Sequence, residues 1–423
     1  MNRVLLISSA VFLSSLSTAI SLAAEQSYTV YQAKRLNVLD ISFQGEYAWY
    51  ALDSCALREN IHDGSLQYFL PKEDFPDGPI KSVFADSRGA VWFARGGGVS
   101  RWDGSAWTHY SSSPPFEAME AYDIAEDRNG VLWFATRWGL RSFDGEKWNI
   151  WKDVPGGAPS RIDIDNDNVK WFGTDKGLVR YDGEEWKVIG PEECVRTVFA
   201  DSKGRVWVLY ANDQPSAHLE IITGETVTAV PVTISFFQNL SGAIGEAPDG
   251  SIWFGAGRAF HVFDGETWKT IPLKADIPLS ISCSAITPED SLVFGGDNNE
   301  IYRIENGKVV YAPLETGPVW YEMYSAAVDA RGMKWFGSYR GLSRFDGTRW
   351  KTYYDRDGFA GNRINALAAS GEILWCGTNR GLSRYDGLSW ITYPVDGCLP
   401  DSSIISLAAS RDGSVVWAGT AKG

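Results

Sequence analysis

The chain has 423 residues, 44% apolar and 22% charged, so it can bury a large core and is neither disordered nor a disulfide knot. Asp plus Glu is 53 against 39 Lys plus Arg, and the resulting −14 repels phosphates and argues against non-specific nucleic-acid binding. Four His and five Cys spread over this length argue against clustered zinc ligands, haem or iron–sulfur centres, while 19 Trp, 43 Gly and 13% aromatics point to a turn-rich β protein.

Residues 1–24 read MNRVLLISSAVFLSSLSTAISLAA, with one charge at Arg3, an apolar stretch, and small residues Ser21, Ala23 and Ala24 at the end. This is the pattern of a secretory signal peptide cut after Ala23 or Ala24; an uncleaved anchor helix is the alternative. The first cysteine, Cys55, is too far along for a lipoprotein anchor. No second long apolar run follows, so the mature chain is expected to be soluble and exported, periplasmic or secreted, with no membrane span.

From residue 25 onward the sequence reads as one repeat. W-F-G-T or a variant recurs at Trp49, Trp92, Trp133, Trp171, Trp207, Trp253, Trp335, Trp375 and Trp417, and a copy without Trp reads Leu292-Val293-Phe294-Gly295. The period is about 41 residues. Each good copy has four parts. Strand a is an apolar run ending at a turn such as Asp127-Arg128-Asn129-Gly130. Strand b carries W-F-G-T, strand c carries G-L-S-R-[FY], and strand d starts at a second Trp, as in GLSRFDGTRWKTYY (341–354). The c–d turns hold Asp-Gly at 103–104, 144–145, 182–183, 264–265, 346–347 and 386–387, which predicts tight type I′ hairpins. Four antiparallel strands at this period predict an all-β fold, a β-propeller of four-stranded blades with nine to ten repeats.

On these residues the chain resembles the two-component regulator propeller repeats of bacterial sensor ectodomains and related exported proteins. The likeness runs over most of residues 36–423 and is strongest in six copies; those around Trp49, Trp207 and Val293 lack parts of the pattern. The resemblance implies a propeller that binds ligands or partners, in its best-known setting polysaccharide fragments sensed in the periplasm for an attached histidine kinase. The tenth copy stops at Ala421-Lys422-Gly423, where strand c should begin. Three closures remain open: a seven- or eight-bladed ring plus part of a second, one ring of nine or ten blades, or a ring in which Ser27–Gln32 pairs with 404–420.

Strands b and d, together with the slots of Trp102 and Trp151, account for 17 of the 19 Trp as blade packing. Trp138, in a b–c turn, and Trp320, in a d–a connection beside Tyr321, have no template position. In a four-stranded meander the b–c turns and d–a connections emerge on one face. Exposed aromatics there would suit a sugar ring or a partner chain; covering a neighbouring loop is the alternative. The b–c turns also carry Arg95, Arg137, Lys176, Arg258, Arg340, Arg380 and Lys422. As a set they would focus a positive field on an anionic glycan or acidic peptide, or they simply suit a solvated turn. The strand-c cations Arg101, Arg141, Arg180, Arg303, Arg344 and Arg384 read as inter-blade ion pairs or solvent-facing positions.

Asp163-Ile164-Asp165-Asn166-Asp167-Asn168 looks like the start of a calcium loop but has no Gly at the sixth place and Thr174 at the twelfth. His62, His109, His218 and His261 fall in different blades, and no nucleophile elbow, phosphate loop or dinucleotide fingerprint is present. No cofactor or metal is expected. Cys376 replaces the Phe of W-F-G-T and reads as a buried apolar residue; Cys376 with Cys398 is a pairing without support. The expectation is a non-catalytic exported propeller that binds a carbohydrate or protein ligand, with a kinase module attached if the chain is a fragment. A propeller lyase or lactonase, or a docking scaffold, is the alternative.

Overall fold

The structure, a computed structural model, describes residues 37–420 and 422 apart from 54, 71–73, 75, 77, 112–115, 117–118, 212–215, 225, 231–233, 236–242, 257–258, 274–280, 297–299, 313, 315–316, 318–322, 394–398 and 411–414, together with the short strands Val4–Leu5 and Thr29–Val30. The expected signal peptide lies outside the described residues apart from Val4–Leu5. Thr29–Val30 pairs in parallel with Val4–Leu5 and not with 404–420.

The chain divides into two compact units, 36–314 and 315–423 with 1–35. The first holds seven antiparallel sheets, here blades 1 to 7, at 38–69, 80–110, 121–151, 159–189, 195–229, 243–272 and 281–311. Each has four strands in sequence order, a to d; blade 5 adds Ile234–Ser235 beside its strand c. Blade 7 packs back on blade 1: Cys283, Val293 and Ile301 share a core with Val38, Ile41 and Leu57, and Ser282 Oγ donates to the Val38 carbonyl at 2.7 Å. The cycle of neighbours is therefore complete at seven, and a single ring of nine or ten blades is not formed.

The a–b turn explains why Trp recurs where it does. In blade 2, Asp86 Oδ1 accepts the N–H groups of Arg88 and Ala90, and Oδ2 accepts Trp92 Nε1–H at 2.7 Å. The same indole bond joins Trp133 to Asp127, Trp171 to Asp165, Trp207 to Asp201 and Trp335 to Asp329. One carboxylate thus closes the turn and satisfies a buried donor that would otherwise be costly. In blade 6, Ser251 Oγ takes the indole bond from Trp253. Where the turn has no Asp, at Gly45-Glu46 and Gly371-Glu372, the indole N–H groups of Trp49 and Trp375 find no acceptor among the described residues. With its polar end satisfied, the ring can enter the next blade: Trp92 packs on Phe134, Phe143 and Trp148 of blade 3. Burying a Trp removes about 150–250 Å² from water, or roughly 4–6 kcal/mol at about 25 cal/mol/Å² as an upper figure.

The c–d connections are not type I′ hairpins. Trp102 pairs with Trp107, which leaves a four-residue loop, 103–106. Only the glycine has positive φ, +99° at Gly104; the Asp carboxylate accepts the N–H groups two and three residues on, those of Ser105 and Ala106. An Asx-type cap replaces the mirror-image turn. These backbone bonds hold the carboxyls of Asp103, Asp182 and Asp346 down at about 2. In the b–c turn of blade 3, Gly139 is required twice over. Its φ is +95°, and a Cβ there would stand 2.3 Å from the Trp151 carbonyl oxygen.

The second unit holds blade 8 (323–353), blade 9 (364–393) and a two-stranded sheet, Ile404–Ala409 with Val416–Thr420. Trp335 enters blade 9 as Trp92 enters blade 3. Trp417, on the last strand, is 59% exposed.

Candidate functional site

Of the turn cations gathered from the sequence, Arg95, Arg137 and Lys176 belong to the first unit, and Arg340, Arg380 and Lys422 to the second. Strand register separates them further. Lys176, Arg340 and Arg380 follow Thr174, Ser338 and Thr378 by two residues, and their own N–H groups donate to those hydroxyls. In blade 3 that position is Trp138, so Trp138 stands where its neighbours carry a cation, and Arg137 is one place earlier. Arg95 is not a surface cation. It ends strand b in the slot of Thr136 and Thr174, and it is 1% exposed. Arg258, Trp320, Tyr321 and Cys398 lie outside the described residues.

Among the described residues, Arg101 and Arg344 make no inter-blade ion pair. Arg101 and Arg344 lie directly across from Trp92 and Trp335, with guanidinium carbons 5.7 and 5.8 Å from the ring centroids, a cation–π arrangement within one blade. Arg141 departs from them. Its sequence is G-L-R-S-F where Arg101 ends G-V-S-R and Arg344 ends G-L-S-R, and a shift of one residue turns a side chain to the other face. Arg141 is buried, donating to the Leu140 carbonyl at 2.9 Å and the Trp138 carbonyl at 3.4 Å, and it reaches Met119 Sδ.

That anchor holds the most exposed aromatic of the b–c turns. Trp138 is 64% exposed. Thr136 Oγ donates to the Gly139 carbonyl, and Arg137 N–H to the Glu120 carbonyl, so the turn is fixed at both ends. The Arg137 guanidinium lies 5.7 Å from the Trp138 ring centroid and 3.8 Å from Glu120. Beside the ring is a cleft of about 680 Å³ lined by Met119, Arg137, Trp138, Gly139, Arg141, Ile150, Lys152, Val154, Gly157 and Ala158. One b–c turn and two d–a connections therefore open into one hollow. Its described lining has three cations and no carboxylate, in a protein of charge −14.

The second hollow is the channel at the centre of the seven blades, about 710 Å³, lined by strand a of every blade. Asp40, Asp123 and Asp163 face it, with Lys81, Arg161 and Ser82. The carboxylates tie blades together: Asp40 Oδ2 accepts Ser82 Oγ–H at 2.7 Å and Val83 N–H at 2.9 Å, Asp123 accepts Ile162 N–H, and Asp163 accepts Ala200 N–H. Loss of hydration deep in the channel pushes all three carboxyls up, Asp40 and Asp163 to about 7, with Asp123 adding to the effect on Asp40. Part of each side chain stays open to the channel. Sequence reasoning missed this set. Asp40 and Asp123 each follow a β-bulge in strand a, which breaks the alternation by which an inward position is recognised.

Asp163, set aside in the sequence as the start of an incomplete calcium loop, is a channel residue. The turn after it is an ordinary a–b turn, closed by Asp165 and by Asn168 at φ +63°. Among the described residues no group of three metal-ligating side chains occurs. Cys376 is buried in the blade 8–9 core, and Cys55, Cys194 and Cys283 are free thiols.

Residues 115–138, from the d–a connection through strands a and b to Trp138, match the family described as two component regulator propeller. The match covers this one repeat, in blade 3. Among solved structures, virginiamycin B lyase from Staphylococcus aureus with quinupristin is 16% identical, with a TM-score of 0.54 over 64% of this chain and 94% of that one. A streptogramin B lyase is 15% identical, with a TM-score of 0.52 over 67% and 96%. These two share the propeller fold and no more at such identity. A protein described as the extracellular domain of a one component system from B. thetaiotaomicron overlaps 91% of this chain and 58% of its own at 14% identity, with a TM-score of 0.38, too loose to argue from. No curated protein matches the sequence. No helix of the described residues is long and apolar enough to cross a membrane.

Proposed function

We propose that the propeller repeats of this chain form an exported ligand-binding module, the sensory part of a signalling system, and that its ligand docks in the blade 3 cleft against Trp138. The observation that carries this reading is an indole 64% exposed beside Arg137 and Lys152, in a hollow whose described lining holds no carboxylate, Glu120 standing behind Arg137. The indole offers a flat apolar face for a sugar ring, and the cations suit carboxylate or sulfate groups on it. An acidic oligosaccharide fits both, and an acidic peptide is the protein-partner form of the same chemistry. Export follows from residues 1–24 as read in the sequence, and a kinase or other output module would read the bound state.

The test is isothermal titration of the full chain with oligogalacturonate and with a neutral oligosaccharide of equal length. Trp138→Ala should weaken the acidic ligand roughly 5–30-fold, the loss of about 1–2 kcal/mol of stacking. Lys152→Ala should weaken the acidic ligand and leave a neutral one unchanged. Wild-type affinity in both variants would refute the assignment.

The channel favours a second reading. Carboxyls near neutrality are suited to general acid–base work, so a propeller enzyme would place its chemistry at Asp40 and Asp163. Turnover that survives Trp138→Ala and is lost in Asp163→Asn would support that reading over the first.

A further inference from the structure

The b–c turn of blade 2 departs from the repeat in two ways at once. In blades 3, 4, 8 and 9 a hydroxyl ends strand b and donates to the carbonyl of the glycine three residues on, at 2.6, 2.7, 2.9 and 3.0 Å. Blade 2 has Arg95 there. The next two places hold side chains in those blades, as in Arg137-Trp138 and Asp175-Lys176, whereas blade 2 has Gly96 and Gly97. A long cation is thus turned inward beneath a turn stripped of side chains.

Among the described residues, Arg95 is buried without a counter-charge. Its Nε donates to Ser100 Oγ at 2.9 Å and its Nη1 to the Gly96 carbonyl at 3.4 Å; Nη2 is buried and finds no acceptor among the described residues. No described carboxylate lies within ion-pair distance of it. Lys170, a comparably buried cation in blade 4, does have one: its Nζ lies 3.0 Å from Asp127. A cation removed from water ordinarily keeps a partner, since lost hydration is otherwise not replaced. Ser100 Oγ also meets Nδ1 of His109 at 3.0 Å, so guanidinium, hydroxyl and an exposed imidazole form one connected line. Burial and the charge of Arg95 hold His109 below its ordinary value.

We propose that Arg95, backed by Ser100 and His109, is the floor of an oxyanion site entered through the glycine turn of blade 2, taking a carboxylate, sulfate or phosphate group of a ligand. The planar guanidinium suits a two-oxygen face of such a group. Above it lie Gly96 and Gly97: the Pro79 ring borders Gly96, while a Cβ on Gly97 would meet only the Arg95 guanidinium. The site belongs to blade 2 and does not depend on the reading of the Trp138 cleft.

The experiment compares the full chain with Arg95→Thr, the hydroxyl that other blades use at this position. Thermal unfolding is followed in acetate, sulfate, phosphate and chloride at equal ionic strength. Sulfate and phosphate stabilise many proteins by exclusion from the surface, so the quantity read is the difference between the two proteins. The wild type should gain on the order of 3 °C more than the variant in at least one oxyanion near saturation. The salt giving the largest difference names the group. The His109 imidazole, followed by NMR in the wild type, should titrate at higher pH with that anion present, because the anion offsets the Arg95 charge. Equal responses in the two proteins overturn the proposal. If the variant does not fold, an imidazole titration indifferent to all three anions overturns it.

Discussion

Asp40→Asn should flatten the pH dependence of stability above pH 5. In the folded chain the Asp40 carboxyl titrates at about 7, against an ordinary value of 3.8. Between those two values the folded state holds a proton that the unfolded state has released. Ionising the group therefore costs stability as pH rises through this window, and the cost is complete above about 7. A rise from 3.8 to about 7 is on the order of 4 kcal/mol at full value. The side chain is partly open to the channel, and bonds from Ser82 and Val83 share the charge, so about 1–2 kcal/mol is the working figure. His109 and His261, held low by burial, act with the opposite sign, so the comparison must be between variants. The assay is urea unfolding at intervals from pH 5 to 8 for both proteins. The wild type should lose about 1–2 kcal/mol relative to Asp40→Asn over that range. Parallel curves would refute the claim that desolvation in the channel governs this carboxyl.

Three more outcomes follow from the blade chemistry. Asp165→Ala removes both the turn cap and the acceptor of the Trp171 indole, and should cost about 2–3 kcal/mol by urea unfolding. Gly139→Ala should cost about 2 kcal/mol or more, since φ and the Trp151 carbonyl both oppose a Cβ, whereas Gly183→Ala, with open space around it, should cost about 1 kcal/mol; equal costs would mean that the close approach is unimportant. Trp138→Ala should leave stability within about 0.5 kcal/mol, while Trp92→Ala should cost about 3–5 kcal/mol; a large loss in the first would make Trp138 a packing residue.

The blades were legible because their chemistry repeats. Trp and Asp-Gly recur at fixed offsets, and the six-residue interval from Asp86 to Trp92 was there to be read as a bond. The number of blades in a cycle was not legible. It depends on twist and wedge angle accumulated over seven near-identical sheets, and no single residue encodes that. Arg95 was misplaced because residue type was read before position: Trp92 to Gly98 spans six residues, as Trp133 to Gly139 does, which already sets Arg95 in the slot of Thr136. Arg141 was misread for a similar reason: two transposed letters turned it from the surface to the interior. Trp138 stood out because it fitted no blade position, whereas Lys152 beside it had no such signal. The cleft that joins them comes from loop geometry that strand periodicity does not carry.

Hydrogen–deuterium exchange of the full chain with and without oligogalacturonate tests the central claim most directly. The account predicts protection concentrated in 119–120, 137–141 and 150–158, the walls of the Trp138 cleft, and its loss in Trp138→Ala. Protection confined to the inner strands around Asp40, Asp123 and Asp163 would contradict it and move the ligand to the channel.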